Sequence, residues 1–217
     1  MKKMLSTAAI CLILIMACGK TQKTETPQPS QTQGKLTDQE IQTIIDKVKN
    51  LPDEPVQKGE VAVITTDLGT IKFKLLTDIA PKTCANFKKL ATAGFYDGTI
   101  FHRVIKGFMI QGGDILTRDA IPENDGIGEP GYTIPAEFSK VKHVKGTVSM
   151  ARKQDPNSAG SQFFICHATA PHLDGQYTAF GEVIEGMDVL DKIAEAPVGE
   201  RDRPANPVVM IKVRVGE

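Results

Sequence analysis

The runs Phe101-His102-Arg103-Val104-Ile105 and Phe108-Met109-Ile110-Gln111-Gly112-Gly113-Asp114 set one arginine and one glutamine among large apolar residues. Lys106-Gly107 separates them and reads as a break between two strands. Alternation puts Phe101, Arg103 and Ile105 on one face of the first; on the second it groups Phe108 with Ile110 and Met109 with Gln111. A guanidinium beside apolar side chains is unusual, because an unpaired charge is costly away from water. Such a cation can pair with a core carboxylate, or it can donate hydrogen bonds to a ligand held against the apolar wall. The segment alone leaves both open.

Other constellations do less. Gly126-Ile127-Gly128-Glu129-Pro130-Gly131 has the spacing of a dinucleotide-binding turn. Yet a proline sits inside it, no strand leads in, and Tyr132-Thr133-Ile134-Pro135 follows where a helix should open. It reads as a turn-rich loop. The four histidines, His102, His143, His167 and His172, include no pair spaced for one helix face, and no cysteine pair at zinc spacing joins them. Cys166 and His167 are adjacent, but neighbours on a strand point to opposite faces. Ser161 lacks the G-x-S-x-G frame of a hydrolase elbow. These readings predict no metal, no cofactor and no covalent intermediate. With 26 basic against 26 acidic side chains, the chain also lacks the electrostatic footprint of a nucleic-acid binder.

The elements that must hold Arg103 and Gln111 are mostly strands. Residues 61–66 and 70–76 read as two strands around Asp67-Leu68-Gly69, with Ile71, Phe73 and Leu75 alternating against Thr70, Lys72 and Lys74. A helix is expected over 81–93, opened by Pro81 and closed by Gly94. Further strands are expected at 99–105, 108–112, 132–134, 146–151, 162–167 and 179–183, a second helix at 187–194, and a last strand at 208–215. Many short strands with two helices predict a mainly β domain, a closed barrel plugged by helices rather than a doubly wound sheet. Residues 60–216 are enough for one packed domain.

The N-terminal part has a different character. Lys2 and Lys3 precede an apolar run at 8–17, short for a bilayer span and typical of a secretory signal. Ile15-Met16-Ala17-Cys18-Gly19 is similar to a bacterial lipobox, with Met16 bulkier than the usual occupant. The resemblance implies removal of residues 1–17 and lipidation of Cys18, with acyl chains such as palmitate holding the protein to a membrane. Loss of Lys2 and Lys3 would leave 24 basic against 26 acidic side chains. Gly19 rather than Asp after the cysteine favours, by the same resemblance, the outer membrane of a two-membrane bacterial cell envelope. Residues 18–35, rich in Thr, Gln and Pro, read as a solvated tether. Thr37-Asp38-Gln39-Glu40 is a capping-box pattern, and Ile41, Ile44, Ile45, Val48 and Leu51 recur at helical spacing within 36–52. Docking on the domain is the expected fate of that apolar face. Cys84 and Cys166 are expected as small buried thiols rather than a disulfide.

The block from Phe101 to Asp114, Ser149-Met150-Ala151, Gly160-Ser161-Gln162-Phe163-Phe164-Ile165-Cys166, Leu173-Asp174-Gly175 and Ala179-Phe180-Gly181-Glu182-Val183 stand in an order that resembles the cyclophilin family of peptidyl-prolyl isomerases. The resemblance spans about residues 60–216. It implies a closed eight-stranded antiparallel β-barrel capped by two helices. It also implies isomerisation of X–Pro bonds, which needs no nucleophile, metal or cofactor. In the twisted transition state the prolyl nitrogen regains its lone pair, and a fixed guanidinium binds that state better than the planar amide.

By this resemblance Arg103 is the catalytic arginine, Gln111 holds the substrate and the arginine, and Phe108 completes the catalytic set. Phe108, Met109, Phe164 and Leu173 would line the proline socket. Ala151 and Arg152 would supply the backbone that binds an extended peptide, flanked by Gln162. Many members carry asparagine where Arg152 stands, so only its backbone role transfers. His172 stands where many eukaryotic members have tryptophan, Tyr177 replaces a histidine at the rim, and the loop between Ala151 and Gly160 is one residue longer than in the commonest form. Weak affinity for cyclosporin follows from the missing indole. The expected partners are proline-containing segments of exported proteins and a membrane reached through the lipid anchor, and the expected state is a monomer. The competing readings are a non-catalytic chaperone or scaffold that holds proline-bearing segments, and an envelope assembly protein that uses residues 36–51 as a partner helix.

Overall fold

The computed structural model describes residues 34–216. Its first element, α1 (Asp38–Lys49), is set by the capping box: Glu40 N donates to Thr37 Oγ1 (3.3 Å) and Thr37 N donates to Glu40 Oε2 (2.8 Å). Ile41 and Val48 are buried and Ile44 and Ile45 pack partly against the same core, so the helix docks on the domain. Leu36 N donates to the carbonyl of Arg118 (2.8 Å), which fixes where the chain joins the domain. The expected signal, the expected lipidation position and most of the expected tether (residues 1–33) lie outside the described residues.

Eight strands follow: β1 (Val61–Thr66), β2 (Gly69–Leu75), β3 (Arg103–Ile105), β4 (Met109–Gly112), β5 (Thr147–Met150), β6 (Phe163–Cys166), β7 (Ala179–Glu185) and β8 (Met210–Gly216). Two further helices, α2 (Pro81–Thr92) and α3 (Met187–Ala194), accompany them. All ladders are antiparallel, in the order β3-β4-β6-β5-β7-β2-β1-β8. This corrects the expected closed barrel. Strands β3 and β8 remain the two edges of one strongly curled, open half-barrel; the segments that flank them meet at an isolated bridge between Ile100 and Val209, with Gly98 N donating to the carbonyl of Met210 (2.8 Å). The two helices expected within the domain and the one expected within 36–52 are all present, as α2, α3 and α1. Residues 132–134 form no strand, because Ile134 makes one isolated bridge to Ala159 and the chain then turns away at Pro135.

The alternation read in the sequence is the alternation of burial: Ile71, Phe73 and Leu75 point inward, while Lys74 between them is exposed. On the inner side α2 delivers Phe87 against the rings of Phe73 (5.3 Å), Tyr96 (5.0 Å), Phe163 (5.6 Å) and Phe180 (5.5 Å). A buried ring of this kind contributes about 3–5 kcal/mol relative to alanine. Helix α2 has no cap of its own, since Ala80 offers no side-chain acceptor. Glu137 supplies it from a distant loop, accepting from Lys82 N (3.1 Å), Thr83 N (2.8 Å) and Thr83 Oγ1 (2.7 Å). Cys84 and Cys166 are both buried and unpaired, and burial pushes each thiol up to about 12.

Candidate active site

The register of the sheet assembles the site. Arg103 on β3 lies opposite Gln111 on β4, Gln111 opposite Phe164 on β6, and Phe164 opposite Ser149 on β5. Four sequence-distant residues thus form one row across four strands. Two residues along, Met109 and Cys166 face each other in the same sense. Met109, Phe164, Cys166, Ala170 and Leu173 form an apolar cluster separate from the main core, with Phe108, Ala151 and Tyr177 packed at its margin. The short 3₁₀ turn Pro171–Leu173 brings Leu173 to the cluster. Together Phe108, Met109, Phe164, Leu173 and Tyr177 wall a pocket of about 180 Å³, with Arg103, Gln111, Ala151 and Arg152 at its rim.

The polar rim is held from behind. Asp114, buried, accepts from Leu116 N (2.7 Å) and Gly126 N (2.5 Å). That loop in turn receives Gln162 Nε2 at the carbonyls of Gly126 (3.0 Å) and Gly128 (3.0 Å), and Gln162 Oε1 accepts from Gln111 Nε2 (3.0 Å). The chain of bonds from Asp114 to Gln111 removes rotational freedom from the glutamine before any ligand arrives. Arg103 donates Nε–H to Asp202 Oδ2 (3.2 Å) and stays 42% exposed. Its Nη1 and Nη2 have no protein acceptor among the described residues. A carboxylate does pair with the arginine, but from a partly exposed loop, and the terminal nitrogens remain open.

Every expected site residue of the domain except His172 borders this pocket or its neighbours. Arg152 turns its guanidinium away, to the carbonyls of Gln176 (3.1 Å), Lys153 (2.9 Å) and Gln154 (3.1 Å), and over the Tyr177 ring at 4.6 Å. Its side chain therefore buttresses Tyr177, in keeping with a role for its backbone alone. His172 is exposed, its ring 5.5 Å from that of Phe108, just outside the pocket wall. Two more cavities adjoin. One, about 100 Å³, is bordered by Gln162, Gly126 and the ion pair of Lys153 with Glu129 (2.6 Å); the other, about 360 Å³, by His102, Arg103, Asp125 and residues 201–203. All three meet at Gln111, which gives a continuous groove suited to an extended chain.

Sequence reasoning missed four residues around the site. His143 is buried behind Phe164, with Nε2 3.1 Å from Ser149 Oγ and Nδ1 3.1 Å from Asp174 Oδ1, and burial holds it below the usual histidine value. Asp174, beside Leu173, accepts His143 N–H (2.8 Å) and pairs with Lys142 (3.0 Å), which brings its carboxyl down to about 2. Leu173-Asp174-Gly175 was visible as a motif, but the aspartate's partner was not. His102, which borders the 360 Å³ cavity beside Arg103, is buried, with neither ring nitrogen bonded to protein among the described residues; burial first, then Arg103 and Arg203, bring it down to about 4. Asp202 gave no local signal at all. Among the described residues no group of His, Cys, Asp and Glu could hold a metal ion.

Comparison with known proteins agrees with this geometry. The family model for cyclophilin type peptidyl-prolyl cis-trans isomerase/CLD matches residues 61–215. A probable peptidyl-prolyl cis-trans isomerase of Brucella suis is 45% identical over 152 residues, covering 68% of this chain and 78% of the relative. A peptidyl-prolyl cis-trans isomerase of Synechococcus elongatus is 50% identical over 140 residues, 64% of this chain and 90% of the relative. The crystal structure of a Cryptosporidium parvum cyclophilin type isomerase, solved in the presence of the dipeptide Ala-Pro, superposes with a TM-score of 0.66 at 34% identity, covering 72% of this chain and 99% of that one. With the family model spanning nearly the whole sheet and the relatives carrying the same activity, the chain belongs to the cyclophilin-type peptidyl-prolyl cis-trans isomerases.

Proposed function

We propose that the protein isomerises X–Pro bonds in exported polypeptides, with Arg103 stabilising the twisted amide. The observation that carries this reading is the row Arg103–Gln111–Phe164 beside the apolar pocket of Phe108, Met109, Phe164 and Leu173. Rotation about the X–Pro bond opposes a barrier of about 18–20 kcal/mol, set by amide resonance. The pocket takes the pyrrolidine ring, an apolar body that gains from leaving water. Gln111, already fixed by Gln162, orients the peptide, and the backbone N–H of Arg152, which has no acceptor among the described residues, offers a donor to its extended backbone. As the amide twists, the prolyl nitrogen becomes pyramidal and regains a lone pair. The open terminal nitrogens of Arg103 then donate to it. That bond exists in the transition state and is weak in the planar ground state, so it lowers the barrier rather than merely tightening binding. No proton need leave the arginine, and no covalent intermediate forms.

The test is the isomerisation rate of an X–Pro peptide with wild type and Arg103→Ala, each checked for folding by circular dichroism. Loss of one donor aimed at developing charge corresponds to about 10²–10³ in rate. A folded wild type that binds the peptide without turnover would replace this reading by a non-catalytic holding module. His172 in place of an indole supports weak cyclosporin binding.

The cellular setting rests on the N-terminal sequence. Removal of residues 1–17 and lipidation of Cys18 would place the monomeric domain at a bacterial membrane, facing exported clients beyond the cytoplasm. No described helix is long and apolar enough to cross a membrane.

A further inference from the structure

Arg201 and Asp202 both have φ of 58°, in the left-handed region that non-glycine residues seldom adopt. The turn that contains them is tightly held. Gly199 N donates to Arg203 O (2.8 Å), and Val198 bridges to Pro204. Arg203 Nε donates to Asp125 Oδ2 (2.7 Å), and Arg201 Nη1 to the carbonyl of Glu123 (3.1 Å). The turn is thus bolted to the 122–125 loop on both sides of Asp202. Its strained tip delivers one carboxylate to one place, the Nε–H of Arg103. Consecutive strained residues persist only where their surroundings over-determine them, and they collect where geometry matters for function.

We infer that Asp202 is a positioning residue for the isomerase reaction: by accepting the Nε–H of Arg103 it fixes the guanidinium plane and leaves both terminal nitrogens for the substrate. Arg103 needs such a partner. It stands on a three-residue edge strand, partly exposed, at the end of a long side chain with several rotatable bonds. Left alone, it would spread over many rotamers and lose that freedom again in each transition state. The pair is 42% and 43% exposed at its two side chains, and an ion pair so placed adds little to stability. Its effect therefore belongs to the reaction. The inference rests on Arg103 being the arginine of the reaction, and the experiment separates the two.

Three variants are compared with wild type for kcat, KM and melting temperature: Asp202→Ala, Asp202→Asn and Asp202→Gly. Glycine accepts the φ of 58° without strain but has no carboxylate. Asparagine tolerates that φ and keeps an oxygen acceptor. Alanine and glycine should lose about tenfold in kcat/KM, carried by kcat, while Asp202→Gly melts at or above wild type and Asp202→Asn stays within about threefold of it. In an Arg103→Ala background, Asp202→Gly should cost nothing further. The Arg103 Nε–H should give a slowly exchanging NMR signal in wild type and Asp202→Asn that is lost in Asp202→Gly. Glycine and alanine variants at wild-type rate would overturn the inference, as would an asparagine variant no better than glycine. A wild type without turnover, or an Arg103→Ala variant as fast as wild type, would withdraw the reading of Arg103 and this inference with it.

Discussion

Replacing His102 by phenylalanine should remove a definite share of the protein's acid sensitivity. The histidine is buried, its ring nitrogens have no protein partner among the described residues, and its folded value lies at about 4. In the unfolded chain the same ring titrates near 6.5. Between those values the unfolded chain holds a proton that the native one refuses, so stability falls as pH drops from about 6.5 towards 4 and the contribution is level below that. The gap corresponds to about 3 kcal/mol at full development, of which about 2 kcal/mol appears between about pH 7 and pH 5. Phenylalanine keeps a ring in the site and brings no titrating group or unpaired nitrogen, so near neutral pH it should be neutral or stabilising. The assay is urea unfolding of both proteins across this range. His143 and the carboxylates titrate in both and cancel in the difference. The phenylalanine variant should gain on wild type by about 2 kcal/mol over the acid limb. Parallel curves would refute the reasoning, since they would mean that the native state binds the proton as readily as the unfolded chain does.

Two further outcomes follow from the ends of the chain and of a helix. Glu137→Ala removes the side-chain cap of α2 and leaves two backbone donors without this partner, so unfolding should become easier by about 1–3 kcal/mol while the melting of Glu137→Gln falls between the two. For the membrane reading, cells fed labelled palmitate should incorporate it into the wild-type chain and not into Cys18→Ser, and label retained in the variant would remove Cys18 as the anchor.

What could be read from the sequence was what neighbours in the chain decide. The capping box at Thr37 and Glu40, the proline that opens α2 and the two-residue alternation of β2 are all local, and each appears in the structure within a residue or two. The site was legible for a different reason: Arg103, Gln111, Phe164 and Leu173 are separated in the chain, but their surrounding motifs resemble a family whose arrangement is known. What escaped was pairing at long range. Glu137 caps a helix 54 residues away, and Asp202 reaches Arg103 across 99 residues. Neither carries a signature beyond being an acid in a polar loop. The closed barrel failed likewise, because strand count and alternation say nothing about whether the first and last edges meet, and here β3 and β8 do not form a ladder. Residues 132–134 looked like a strand because aromatic and branched residues stand there, but Tyr132 is spent on Asn86 (2.8 Å) and Lys89 (4.5 Å) instead of a cross-strand neighbour.

The open edge has a consequence for how this enzyme can change. In a closed barrel the outer side of β3 would be occupied by another strand, and any alteration there would disturb a hydrogen-bonded ladder. Here the flank of Arg103 is met by a turn that belongs to no strand. Residues 197–206 carry none of the ladders of the sheet, yet they hold Asp202, the acceptor of the Arg103 Nε–H. On the proposed role of Arg103, catalytic tuning and maintenance of the sheet fall to different stretches of chain.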